Sequence, residues 1–330
     1  MIQEVKLNKL IVIGILFLFV CISVYPISGF NLEQSSGNTI TVDNEGDGDF
    51  TSIKQALNNA NQGDSIEVYS GTYYEHDLSF EKEGIILQGI SHELGNGVDT
   101  GKPIIDGEGK EKVFFIKVSN IIIDGFNIHN DGPGSYNIIS IATESNNCTI
   151  INNNLSNSVM SILYVCGYNI KILNNTINHS YIRFGISLDE HSRNCLISGN
   201  TISNAKSGVL LWDSNNHIIV GNRISMCSRS GIDVSGDNNN IIGNHIENNI
   251  VGIDMGGFNN HVKRNNFIKN NIHMRFIYGS FTSIKQRLTN RWYGNYWGRP
   301  RLLPYPVPGG IFLIPTIQFD WRPALIPYDI

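Results

Sequence analysis

Charge is what this 330-residue chain has least of. Lys and Arg supply 24 residues and Asp and Glu 29, so charged side chains make up 16% of the sequence, against about a quarter in ordinary soluble domains. The net charge is −5, and without residues 1–30 there are 22 basic residues to 28 acidic. No run of Lys and Arg builds the positive footprint that nucleic acid demands, so a nucleic-acid partner is not expected. Cysteine is scarce too: five residues and no C-x-x-C pair, which removes zinc-ribbon and thioredoxin-like chemistry. Beyond residue 30 there are no long runs of 3.6-residue periodicity, which excludes a helical-repeat architecture.

What is present begins with an address. Lys6 and Lys9 precede an apolar run from Leu10 to Val24 whose only polar member is Ser23. That run is short for a membrane span and suited to a signal h-region. Residues 1–30 therefore read as a signal peptide or an N-terminal membrane anchor through residues 10–24, and the expected location is extracellular or at the cell surface. Four sequons, at Asn147, Asn154, Asn174 and Asn178, are compatible with export.

The rest of the chain is written in a repeat. The phrase N-x-I-x-N recurs as "FNIHN" at 126, "NNLSN" at 153, "NTINH" at 175, "NTISN" at 200, "NRISM" at 222, "NHIEN" at 244 and "NFIKN" at 266. Six copies open on Asn153, Asn175, Asn200, Asn222, Asn244 and Asn266, mostly 22 residues apart. Ile128, Leu155, Ile177, Ile202, Ile224, Ile246 and Ile268 stand two residues further on. A second ladder, Ile123, Ile150, Ile172, Ile197, Ile219 and Ile241, stands three residues earlier and is expected to break at Lys263. Short pieces of period-2 alternation punctuated by Gly and Asn are strands, and about 22 residues per unit is the length of a parallel β-solenoid coil. Equivalent residues then stack at about 4.8 Å. The asparagines have two uses there: tolerance of left-handed turns and side-chain amide ladders.

The expected fold is all-β: a single-stranded right-handed parallel β-helix over residues 38–289, with a short N-terminal α-helical cap at 50–60. "FTSIKQALNNA" places Phe50, Ile53, Ala56, Leu57 and Ala60 on one helical face to form that cap. The tail, 290–330, holds seven of the ten prolines and many aromatics, and reads as a C-terminal cap that keeps the last coil from recruiting another chain. Its aromatics are also of the kind that stack on sugars.

These motifs carry a resemblance. "GDGDFTSIKQALNNANQGDSIEVYSGTYYE" (46–75) resembles the entry segment of the pectin-lyase-like right-handed β-helix superfamily. The repeats at about 120–275 resemble those of NosD-type and carbohydrate-binding and sugar-hydrolase domains, and "NRWYGNYWG" (290–298) resembles the element that closes NosD-type helices. The resemblance implies a fold more firmly than an activity. The active-site phrases of pectin esterases, polygalacturonases and alginate epimerases are absent. NosD-type tails continue with Asp- and Gly-rich segments, where this chain has "RPRLLPYPVPGG".

A second phrase in each unit, "GISL" at 185, "GVLL" at 208, "GIDV" at 231 and "GIDM" at 252, marks the candidate site. Alternation sends Ser187, Leu210, Asp233 and Asp254 outward in register. Asp233 and Asp254, one strand spacing apart, are the candidate catalytic pair, because neighbouring carboxylates raise one another's proton affinity. Arg183, Lys206 and Arg229 form a basic row beside them, and Asp189, Trp212 and Asp213 border the same face; these six are the candidate ligand-binding residues. His217 and His261 share one repeat position two coils apart, too far to ligate one metal, so neither a metal nor a cofactor is expected. The expected function is that of a cell-surface protein that binds a polysaccharide or cell-envelope glycan, or serves a structural surface role, through this exposed β-face. The alternatives are a polysaccharide lyase, epimerase or hydrolase using the acid pair, and, as the resemblance implies, a NosD-like accessory protein for a metalloenzyme.

Overall fold

The computed structural model describes residues 37–278 and 289–330, apart from 135, 181, 312 and 313. The N-terminal segment read as a signal or anchor lies outside the described residues. Among those described, no helix is long and apolar enough to cross a membrane.

The described residues wind as a right-handed parallel β-solenoid and include one short helix. Three sheets run along it. Sheet A has eleven strands, from Thr39–Val42 to Arg291–Tyr293. Sheet B has ten, from Thr72–Tyr74 to Tyr296–Trp297, and sheet C eleven, from Leu78–Phe80 to Ile314–Asp320. One coil passes through Ile218–Val220 in A, Arg223–Ser225 in B and Ser230–Val234 in C before Asn240–Ile242 opens the next. Among the described residues the strand pairs are parallel except the last, where Ile314–Asp320 turns back along Tyr305–Ile311. That end includes a further coil beyond residue 290, since Arg291–Tyr293 pairs with His261–Lys263 and Tyr296–Trp297 with Asn266–Phe267.

Inward rows of aliphatic residues build the core. In sheet A, Ile150, Ile172, Ile197, Ile219 and Ile241 are in register and fully buried. The row does not break at Lys263: Val262 continues it and Trp292 ends it. In sheet B, Ile246 is followed by Phe267, and Ile268 turns outward. The cause is a shortened corner. The rungs Asn200, Asn222 and Asn244 follow one another at 22 residues, but Ser230 pairs with Val251, 21 residues on, so the residues that follow shift by one.

The asparagines divide into two kinds at adjacent positions. At the corner between sheets A and B, Asn152 and Asn174 adopt positive φ, as do Gly199, Gly221, Gly243 and Arg264 in the equivalent places. The next residue is the buried rung. Asn153, Asn175, Asn200, Asn222 and Asn244 each receive on Oδ1 the backbone N–H or amide of the rung before, at 2.9–3.2 Å. The next rungs are Asn265 and Asn295. Asn266, expected on this ladder, is displaced from it by the shortened corner: it sits in a sheet-B strand and bonds the Tyr328 backbone instead. Parallel rungs run through the other corners, as Asn249–Asn270 and as Asn239–Asn260–Asn290.

A Cβ at Gly221 or Gly243 would meet nothing within 4 Å, so backbone conformation alone selects glycine there. Arg264 occupies the same position at φ 57°, where an L-residue with a side chain costs about 1–2 kcal/mol. Arg264→Gly is therefore expected to raise stability by roughly 0.5–1 kcal/mol after the added unfolded-state entropy, read as a higher urea midpoint.

At the N-terminal end, helix α1 (Ile53–Asn59) lays Ile53, Ala56 and Leu57 on the first coil. Ser52 caps it, and Glu75 reaches across to accept the N–H groups of Ile53 and Lys54 at 2.8 and 2.9 Å. In the same stretch, "GTYYE" (71–75), the Tyr73 hydroxyl donates to the Val42 and Tyr69 carbonyls. At the other end, Phe267, Trp297 and Tyr305 stack face to face, with centroids 4.6 and 4.0 Å apart, and the Arg301 guanidinium lies 4.7 Å from the last ring.

Candidate ligand face on sheet C

The strands that carry the G-[IV]-x-[LVM] phrase lie side by side in sheet C. A Cβ on Gly185, Gly208 or Gly231 would stand 2.7–2.8 Å from the next coil's glycine carbonyl. These glycines let sheet C begin tight against the Ile ladder of sheet B. Ile186, Val209, Ile232 and Ile253 point inward, as do Leu188, Leu211, Val234 and Met255. The residue between them forms an outward row in register: Tyr164, Ser187, Leu210, Asp233, Asp254 and Arg275.

Asp233 and Asp254 are thus neighbours on adjacent coils. Arg275, the next member of the row, engages both oxygens of Asp254 through Nε at 3.1 Å and Nη2 at 2.7 Å. Asp233 Oδ2 lies 3.2 Å from Arg229 Nη2 but outside hydrogen-bond geometry. Burial pushes the Asp233 carboxyl above its usual range and the Asp254 charge adds to this, while Arg229, Arg275 and Lys206 oppose them. The Arg275 fork thus occupies both oxygens of Asp254, whereas Asp233 has no such bidentate partner.

The basic row is stacked as the repeat predicts. Lys206 donates its backbone N–H to the Arg183 carbonyl, and Arg229 to that of Lys206, both at 2.8 Å. All three side chains are exposed. On the far edge of the sheet, the backbone of Trp212 follows Leu188 as that of Asp189 follows Val165, which places Trp212 one coil above Asp189.

A concavity of about 380 Å³ opens on this face, lined by Tyr164, Arg183, Ser187, Asp189, Glu190 and Trp212 among others. The Tyr164 hydroxyl donates to Asp189 Oδ2 at 2.8 Å, and burial together with that carboxylate raises its pKa, so it remains a phenol. Trp212 is 57% exposed, leaving its indole open to a flat ligand. Three of the six expected ligand-binding residues, Arg183, Asp189 and Trp212, therefore share one hollow. Asp233 and Asp254 lie one and two coils beyond the level of Leu210, along the same face. Asp213, in a left-handed corner, has its N–H bonded to Ser235. The repeat pattern does not single out Tyr164 or Arg275, because neither stands in a G-[IV]-x-[LVM] phrase.

No three His, Cys, Asp or Glu side chains converge as metal ligands among the described residues. His217 and His261 do not share a position. The shortened corner puts His217 in line with Asn239 and Asn260 inside, while His261 pairs with Asn240 on the outside of sheet A. His217 Nδ1 is occupied by the Cys195 N–H. Burial lifts the thiols of Cys148 and Cys166 to about 11 and those of Cys195 and Cys227 to about 12, which keeps them protonated.

These features define a parallel β-helix protein with a hollow of about 380 Å³ on one sheet. The chain belongs to the NosD family, whose sequence model, described as periplasmic copper-binding protein (NosD), matches residues 57–302. The donor set just described does not fit a copper centre within the described residues. No curated protein matches the chain. Among solved structures, the Dettilon tailspike protein is similar at 16% identity and a TM-score of 0.51, covering 74% of this chain and 50% of its own. The mannuronan C-5 epimerase AlgE6 A-module of Azotobacter vinelandii gives 14% and 0.51 over 82% of this chain and 91% of its own. The alginate lyase AlyF-OU02 gives 15% and 0.51 over 84% and 64%. This chain thus spans half the tailspike and just under two thirds of the lyase, and the likeness is one of fold.

Proposed function

We propose that this protein is exported and binds a polysaccharide along the outer face of sheet C, seating one sugar unit in the hollow of Tyr164, Arg183, Ser187, Asp189 and Trp212. The observation that carries this reading is the meeting of an exposed indole with hydrogen-bonding side chains of both charges in one concavity. An aromatic platform takes the apolar face of a sugar ring, and Arg183, Asp189 and Ser187 offer donors and acceptors for its hydroxyls. A rigid face repeating at about 4.8 Å provides continuous ground for a linear chain on either side. Export is supported by membership in a family described as periplasmic. Carbohydrate is supported by the names of two proteins that share the fold, a mannuronan epimerase module and an alginate lyase. Binding fits the geometry better than acid–base catalysis, because the Arg275 clamp on Asp254 removes one half of the acid pair.

Affinity electrophoresis through gels containing neutral or acidic polysaccharides tests the proposal. At least one polymer is expected to retard the chain, and Trp212→Ala or Arg183→Ala to weaken retention about tenfold, near 1.4 kcal/mol. Equal retardation of wild type and both variants, or none by any polymer, refutes the assignment.

A further inference from the structure

A second concavity lies elsewhere, at the C-terminal end of sheet A, with a volume of about 610 Å³. Two outward rows of that sheet finish there: His261 pairs with Arg291, and Lys263 with Tyr293. The facing wall is the returning strand and its continuation, with Phe319, Trp321 and Arg322. Wall and floor are pinned together by the Trp292 indole N–H, which donates to Gln318 Oε1 at 2.8 Å. The Arg322 guanidinium stands 5.9 Å from the Tyr293 ring, and the Phe319 and Trp321 rings lie 5.2 Å apart. Trp321 is 70% exposed and Tyr293 50%.

The charge of this cleft runs against that of the chain. The protein carries −5 overall, yet the described residues lining the cleft include Lys263, Arg291 and Arg322 and no carboxylate. None of these three makes an ion pair among the described residues. Like charges gathered in a concavity repel one another, and burial together with Arg291 and Lys263 holds His261 below its ordinary pKa. An anion placed between them relieves that repulsion, and the exposed rings provide flat surfaces for the remainder of the ligand.

We propose that this cleft is a second binding site, separate from sheet C and specific for an acidic sugar, whose carboxylate lies against Lys263, Arg291 and Arg322 while its ring packs on Tyr293 or Trp321. The site lies on a different sheet from the hollow at Trp212, so it stands or falls independently of the function proposed above. It implies that the protein discriminates between polymers by charge at its end and by ring shape along its side.

Calorimetric titration of the full chain with trigalacturonate, and with its fully methyl-esterified form as the uncharged counterpart, decides the matter. The acid is expected to bind at least tenfold more tightly than the ester, with affinity falling as salt is raised. Arg291→Ala and Arg322→Ala should each cost about tenfold, whereas Arg183→Ala and Trp212→Ala should leave this binding intact. In the wild type, the His261 imidazole resonances should shift on addition of trigalacturonate, a readout that needs no variant to fold. Absence of measurable binding, equal affinity for acid and ester, or loss of binding in the Arg183 and Trp212 variants alone would each overturn the proposal.

Discussion

Replacing Asp320 by Ala is expected to release the last coil of the solenoid. Every rung of the corner ladder is both acceptor and donor, taking the N–H groups of the previous rung and giving its own to the next. A ladder of that polarity ends with donors that have no further rung. Asn295 is the final asparagine, and its backbone N–H and side-chain amide go to Asp320 Oδ2 at 2.9 and 3.1 Å. The Trp297 indole donates to the same oxygen at 3.1 Å, while Gly294 and Arg322 give their backbone N–H groups to Oδ1. Asp320 is fully buried. A carboxylate is the one side chain that only accepts, on two oxygens, so it suits a terminus where only donors remain. Asp320→Ala strands several buried donors and is expected to cost about 4 kcal/mol; Asp320→Asn, which keeps one acceptor but adds an amide facing donors, about 2 kcal/mol. Because coils contact only their neighbours, the loss should be local. Hydrogen exchange should accelerate over residues 291–297 and leave the first coils unchanged. Unaltered protection at Asn295 and Trp297 would show that the carboxylate is not what holds the end.

The interior of this fold was legible because a solenoid copies its physics from coil to coil. Ile150 to Ile241 and Asn153 to Asn244 announce their register by spacing alone, and the outward row from Ser187 to Asp254 follows from alternation. The register departs from the repeat where one residue is missing from a corner. "RNNF" places two asparagines side by side at 265 and 266, and counting 22 from Asn244 selects the wrong one. Aligning on the pair formed by a left-handed residue and its rung, as in Asn152–Asn153 or Gly199–Asn200, would have chosen Arg264–Asn265 and restored Val262 to the core. The terminal plug was harder to see, since Asp320 belongs to no repeat and reaches the ladder only through a reversed strand. On the site, in-register neighbours such as Asp233 and Asp254 could be read, but not the Arg275 clamp or the Tyr164–Asp189 bond, which depend on side-chain reach.

Acid should weaken this protein through one residue in particular, and His217→Asn should remove much of that weakness. His217 occupies a rung at the corner between sheets C and A, with Asn239 and Asn260 in the next two coils. Its Nδ1 accepts the Cys195 N–H at 3.1 Å, so the neutral ring carries its proton on Nε2, which finds no partner among the described residues. Burial, with a smaller contribution from Arg193, lowers its pKa from 6.5 to about 3. Protonation would both charge a buried ring and turn the acceptor of the Cys195 bond into a donor. The unfolded chain takes up this proton near pH 6.5 and the folded chain only near 3, so between these values the unfolded state binds more protons. Stability contributed by neutral His217 is therefore complete above pH 6.5 and is lost as pH falls towards 3. At pH 4 the loss is about 3 kcal/mol relative to pH 7. Asn at this position would offer Oδ1 to Cys195 as Asn239 does to His217 at 2.9 Å, and it does not titrate. His217→Asn is expected to unfold at nearly the wild-type urea concentration at pH 7 and at a markedly higher one at pH 4. If both proteins lose the same stability between the two pH values, the acid sensitivity of the rod resides in its carboxylates and not in this rung.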